Sequence, residues 1–264
     1  MRVRMNFGSK KMYHIGFGRE DIQGARYALL PGDPGRVSKI AAKLDDRKEI
    51  CVHREYTTYL GELNGEKVLV MSTGMGGPST AIGAEELIRL GVDTLIRVGT
   101  SGGMRLDVVS GDVCIINGAI RQEGTSKEYT PIEYPAIADL DVTLALREAA
   151  KESGFGWHVG VAHCKDSFYG QHSPEAMPVS NELLDKWKAW IRAGALCSEM
   201  ETAALYTVAS VRRVRAGAVM LVIWNQEREA AKLPQERCFE TERAIDVAIR
   251  GLKKLINEDR KNRG

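Results

Sequence analysis

Much that would assign this chain to a common class is missing from it. Its five cysteines (Cys51, Cys114, Cys164, Cys197 and Cys238) are odd in number, and none sits in a C-x-x-C pair. That argues against a structural zinc or a secreted disulfide framework and fits a reducing cytosol. There is no large charge of one sign: 37 Lys and Arg stand against 35 Asp and Glu, a formal net charge of +2. A nucleic-acid or membrane partner is therefore not implied, and any anion site must be built from a few local arginines. No apolar run approaches a membrane span. The basic start, with Arg2, Arg4, Lys10 and Lys11, lacks the apolar stretch of a signal peptide and reads as a solvated arm. No Pro/Ser-rich linker and no internal repeat divides the chain. A single domain over residues 1–264 is expected, with 1–12 as an arm and 258–264 as a frayed tail.

What is present is an alternation of apolar runs and amphipathic segments. Strand-like runs lie at Arg26–Leu30, Tyr56–Leu63, Lys67–Thr73, Val92–Val98, Asp112–Arg121, His158–Lys165 and Ala216–Ile223. Asn64-Gly65 between two of them is a hairpin signal. Helical spacing marks Val37–Leu44, Ser79–Leu90, Leu140–Ser153, Asn181–Ala193, Glu199–Arg213 and Arg237–Asn257. The order predicts a three-layer α/β/α fold around a central mixed sheet.

Turns that follow strands are where such folds carry chemistry, and three are glycine-rich. Gly32-Asp33-Pro34-Gly35-Arg36 sits before a helix, where free N–H groups and an arginine suit an anion; it also reads as a capped turn with a surface arginine. Thr73-Gly74-Met75-Gly76-Gly77-Pro78-Ser79 is neither a Walker loop nor a dinucleotide fingerprint, and says only that backbone passes close to something. Arg97-Val98-Gly99-Thr100-Ser101-Gly102-Gly103 puts an arginine inside an apolar strand, which is costly without a partner that a bound anion would supply. It also contains G-x-S-x-G, but no helix pattern follows, so a serine hydrolase is disfavoured. Glu199-Met200-Glu201 opens a helix. Its carboxylates suit the helix dipole, or the two hydroxyls of a vicinal diol.

In combination these motifs become specific. Gly-Asp-Pro-x-Arg, then His53-Arg54-Glu55-Tyr56-Thr57-Thr58, then Ser72 to Ser79, Arg97 to Gly102 and Glu199-Met200-Glu201, resemble in order and spacing the hexameric nucleoside phosphorylases, most of all those of the uridine type. The resemblance runs from about Tyr13 to Ile256 and implies a phosphorolysis of a ribonucleoside, most of all uridine, to free base and α-ribose 1-phosphate. Phosphate would be co-substrate, with no redox cofactor. It implies a phosphate site at Gly32, Arg36, Arg97 and Thr100, with Ser101 and Gly102 beside it. Met200 and Glu201 would contact the ribose diol, and Phe168 would wall the base. Arg54 and His14 would act across a subunit interface in a homo-oligomer, a hexamer by family expectation. Glu55 and Ser79 would belong to a monovalent-cation site between subunits.

The base-reading residues depart from the family pattern. In Phe168-Tyr169-Gly170-Gln171-His172-Ser173-Pro174, Gln171 is kept but Ser173 stands where uridine phosphorylases carry an arginine. In Trp224-Asn225-Gln226, Gln226 replaces a second arginine, and is not the aspartate of the purine enzymes either. His172 and Arg228 are candidate replacements. Other outcomes stay open: a purine or modified-nucleoside phosphorylase, a nucleosidase using water, and a non-catalytic nucleoside-binding protein on the same scaffold.

Overall fold

The structure is a computed structural model that describes residues 11–262. Arg2, Arg4 and Lys10 of the basic arm lie outside them. The strands among the described residues are β1 (Tyr27–Leu30), β2 (Asp45–His53), β3 (Tyr56–Leu63), β4 (Glu66–Met71), β5 (Thr94–Gly103), β6 (Val113–Arg121), β7 (Ala136–Ile137), β8 (Trp157–Cys164), β9 (Cys197–Glu199) and β10 (Arg215–Asn225). The helices are α1 (Val37–Ala41), α2 (Gly77–Leu90), α3 (Leu140–Lys151), α4 (Phe168–His172), α5 (Ser180–Arg192), α6 (Thr202–Arg212), α7 (Gln226–Ala230) and α8 (Glu242–Lys261).

All the strands join one mixed sheet. One wing runs β2-β3-β4-β1-β5. There the sheet branches, because β5 pairs parallel with β10 and antiparallel with the short β9. β10 continues to β6, β6 to β8 and β8 to β9, so these strands close on themselves. Side chains alternate across a strand, so each apolar strand feeds two cores. Ala28 and Leu30 of β1, Leu69 and Met71 of β4, and Met220 and Val222 of β10 face a core under α2 and α6. Tyr27, Leu29, Val68, Val70, Val219 and Leu221 face the opposite core, under α1, α3 and α8. Helix, sheet, helix is the three-layer arrangement that the sequence pattern called for.

Asn64 and Gly65 both take positive φ in the β3–β4 hairpin, as a primed turn demands. Three expectations are corrected. Gly99–Gly103 is not a turn: it is the continuation of β5, held by β10 on one side and β9 on the other. The expected helix Val37–Leu44 is a 3₁₀ turn at Pro34–Arg36 followed by only five α-helical residues. The tail expected to fray is helical to Lys261, because Asp259 accepts hydrogen bonds from Tyr27 (2.7 Å) and from Arg215 (2.6 Å).

Candidate active site

Arg97 lies on the α2/α6 face of β5, the face of Leu95, between Ile96 and Val98 of the opposite face, and is 5% exposed. Its Nε donates to Glu199 at 3.1 Å, and its Nη2 donates to Glu201. Nη1 is buried and has no hydrogen-bond partner among the described residues. Burial alone would lower the Arg97 pKa, but Glu201 and Glu199 outweigh it and raise it. Glu199 is anchored in turn. It accepts from the backbone N–H groups of Glu201 (2.9 Å) and Thr202 (3.0 Å) at the start of α6. Burial would push its pKa up; Arg97 and those N–H groups hold it down. The dipole reading of Glu199-Met200-Glu201 therefore describes Glu199, while Glu201 is the carboxylate that turns outward.

Gly99 makes this geometry possible. A Cβ there would come 2.4 Å from the Met220 sulfur and 3.2 Å from Arg97 Nη2, so a side chain would displace the guanidinium. Gly32 is nearby: its ideal Cβ position is 3.8 Å from Arg97 Nη1 and 3.2 Å from the Gly74 carbonyl.

Arg36 faces the same space. Burial, then the charge of Arg97, lower its pKa, while Asp33 opposes them. Two guanidiniums facing one space, the charge of Arg97 depressing Arg36 and Arg97 itself keeping a free N–H, form a site that an anion would stabilise. With only five residues in α1, the arginines carry this site and the helix dipole does not.

The cavity before them has a volume of about 940 Å³. Gly32, Arg36, Arg97, Thr100, Ser101, Gly102, Met200, Glu201, Phe168, Gln171, His172 and Gln226 all line it. Most of the residues singled out in the sequence thus meet at one place. Glu201 Oε1 accepts from the Gly76 N–H at 2.7 Å and its Oε2 from Arg97. Each oxygen keeps one further acceptor position for a hydroxyl. Ser101 Oγ donates to the Leu221 carbonyl at 3.3 Å in the neighbouring strand. It sits mid-sheet with no helix after it, which removes the nucleophile-elbow reading.

Asn225 sets the position of Gln226. It is fully buried, donates to the carbonyls of Arg105 and Val108 (both 2.7 Å), and accepts from the N–H groups of Glu227 and Arg228. Gln226 then projects to Gln171, whose Nε2 donates to it at 3.3 Å. The Phe168 and His172 rings meet at a tilt of 41° with centroids 4.3 Å apart. Arg228 does not reach inwards: it clamps the carbonyls of Leu106 (2.6 Å) and Pro234 (2.9 Å). Ser173 does not line the cavity; its N–H bonds the Tyr169 carbonyl at 2.9 Å, closing α4.

Four residues lie away from this cavity. His14 Nδ1 is 2.8 Å from Glu86. Arg54 is exposed, at positive φ, over the Tyr13 ring. Glu55 and Ser79 meet at Gly74, whose ideal Cβ position is 3.0 Å from Glu55 Cγ and 3.4 Å from Ser79 Oγ.

The family model described as the phosphorylase superfamily matches residues 26–257. The chain belongs to the phosphorylase superfamily. It is 55% identical to a uridine phosphorylase of Treponema pallidum (strain Nichols) over 257 residues, 97% of this chain and 99% of that one. To a uridine phosphorylase of Escherichia coli (strain K12) it is 39% identical, over 93% and 98% of the two chains. A guanosine phosphorylase of Halorubrum lacusprofundi is 37% identical, over 86% and 93%.

Two residues of this cavity carry roles that the sequence does not mark. In the sequence Glu199 reads, with Glu201, as a helix-start acid; nothing there shows that it orients Arg97. Lys165, 6% exposed at the end of β8, also lines the cavity. The signal in the sequence is a lysine directly after the apolar end of a strand, akin to the arginine inside the apolar strand β5.

Proposed function

We propose that this chain is a nucleoside phosphorylase that cleaves uridine with phosphate, giving uracil and α-ribose 1-phosphate. The observation that carries the reading is the buried, unpartnered Nη1 of Arg97 beside Arg36 on a cavity that also presents Glu201. A nucleosidase using water has no use for two facing arginines.

The chemistry follows from charge. Breaking the bond between C1′ and the base builds positive charge on the ribose, as in other glycosyl transfers. Arg36 and Arg97, with Gly32 and Thr100 as the floor, hold a phosphate ready to attack C1′. That supplies proximity and a negative charge next to the developing cation. Glu201 accepts from the 2′- and 3′-hydroxyls, and Met200 packs on the sugar. Phe168 walls the base, while Gln171 and Gln226 meet its polar edge.

The same reading extends to assembly. Arg54 and His14, remote from their own cavity, act in a neighbour's site within a homo-oligomer, a hexamer of three dimers. Glu55 and Ser79 give a carboxylate and a hydroxyl on one side of Gly74, half of a shell for a monovalent cation completed by a second copy. The five free cysteines suit the cytoplasm, and the protein serves nucleoside salvage. The test of the base is a panel of uridine, thymidine, inosine, guanosine and adenosine with phosphate. Uracil release at the highest kcat/KM supports the proposal, and preference for a purine overturns its substrate.

A further inference from the structure

The large cavity adjoins a smaller one of about 190 Å³, and Lys165, Gln171 and Gln226 line both. Behind them runs a buried polar chain. Trp190 Nε1 can only donate, so the Gln122 atom 3.0 Å away is an acceptor oxygen. His163 Nε2 is 2.7 Å from that same oxygen and so carries its proton. Burial, then the charge of Lys165, push the His163 pKa down to about 3, which keeps the ring neutral. Its Nδ1 is therefore an acceptor, 3.0 Å from Ser198 Oγ. Gln171 Oε1, 2.7 Å from Ser198 Oγ, competes for the one hydroxyl proton. In either case the Ser198 oxygen keeps a lone pair for Lys165 Nζ, which donates to it at 2.8 Å.

Lys165 is thus aimed by a fixed chain, and it has hydrogen left over. An ammonium has three N–H groups. One goes to Ser198 and one, at 3.4 Å, to the Glu199 carbonyl. Among the described residues no carboxylate lies within ion-pair distance of Lys165. Glu199, the carboxylate whose charge acts most on Lys165, is committed to Arg97 and the α6 N–H groups. Burial lowers the Lys165 pKa and Glu199 draws it back. A buried ammonium without a carboxylate is costly unless something else supplies an acceptor.

We propose that Lys165 is the cation of the base end: its third N–H bonds a carbonyl oxygen of the departing pyrimidine and stabilises the negative charge that collects there. The proposal rests on the phosphorolysis reading above. In the step, the phosphate oxygen forms its bond to C1′ while the C1′–N1 bond breaks, and that electron pair moves onto the base and its carbonyl oxygens. Lys165 stays protonated throughout, and the uracil anion takes its proton from water after release. The two arginines that the family pattern provides, and that Ser173 and Gln226 replace, are thereby compensated from the end of β8.

The test compares Lys165→Met and Lys165→Arg with the unsubstituted chain on uridine and on 5-fluorouridine, at saturating phosphate. Fluorine makes the base a better leaving anion, so it needs less help. Lys165→Met is expected to lower kcat on uridine by about 10²–10³-fold, the loss typical of one charge-stabilising donor. The loss on 5-fluorouridine should be much smaller, and Lys165→Arg should keep most activity on both. The ratio between substrates is measured on one preparation, so partial misfolding cancels. Equal losses on both substrates, or none, overturn the proposal. An unsubstituted chain that releases no base with phosphate overturns the phosphorolysis reading itself, a failure visible before any variant is made.

Discussion

Arg97 Nε lies 3.1 Å from a carboxylate oxygen of Glu199, and neither side chain has appreciable contact with solvent. With Nη2 on Glu201, that contact fixes the guanidinium plane and leaves Nη1 free at the cavity. Glu199→Gln keeps the shape and removes the charge. Breaking one side of a buried pair is expected to destabilise the fold by about 3–5 kcal/mol, read from the shift in urea midpoint. Because the aim of Arg97 is also lost, the KM for phosphate should rise more than the KM for nucleoside. An unchanged phosphate KM would mean that Arg97 does not bind the attacking anion.

Ser101 separates two readings of G-x-S-x-G. Its hydroxyl holds only the Leu221 carbonyl, a bond worth about 1 kcal/mol. Ser101→Ala should retain phosphorolysis within about fivefold, corresponding to that energy. Loss of all activity would restore the nucleophile that the strand geometry removes.

The buried His163 gives the fold a pH dependence of known sign. Its pKa falls from 6.5 to about 3 on folding, so between these values the unfolded chain binds the extra proton. Its contribution is therefore full above pH 6.5 and is lost as pH falls towards 3, at up to about 1.4 kcal/mol per pH unit. The urea midpoint of the native chain should drop between pH 6.5 and 4.5. In His163→Gln, which cannot titrate, the slope should be shallower by up to one proton, and an equal slope would show that His163 is not buried neutral.

A shared site makes a further prediction. Arg54→Ala and Arg97→Ala should each lose activity, but copies refolded together should regain part of it. In mixed oligomers some sites combine an intact Arg97 with an intact Arg54 from the neighbour. Activity no higher than the sum of the separate variants, or monomers by light scattering, would contradict a site completed between subunits.

Much of the frame was legible beforehand, and the reasons are local. The Asn64-Gly65 turn, the apolar strands and the Glu199-Met200-Glu201 run each announce themselves through chemistry that acts within a few residues. β2 was not legible: Asp45–His53 is a charged edge strand, mostly exposed, with no alternation to read. Gly99–Gly103 reads as a turn because glycine is common in turns, whereas here it is kept so that Arg97 can fold back beside Met220. Arg228 lay close in sequence to the missing arginine but is spent on the Leu106 and Pro234 carbonyls. Lys165 meets Ser198 through the pairing of β8 with β9, and Gln226 arrives from the end of β10, contacts that no local pattern encodes.

The central claim is that phosphate, held by Arg36 and Arg97, is the nucleophile. The most direct measurement is uracil release from uridine by the whole chain, with and without inorganic phosphate, together with detection of ribose 1-phosphate. The account predicts release that saturates with phosphate, falls to background without it, and yields one ribose 1-phosphate per uracil. Release at the same rate without phosphate, with free ribose as the product, would contradict it.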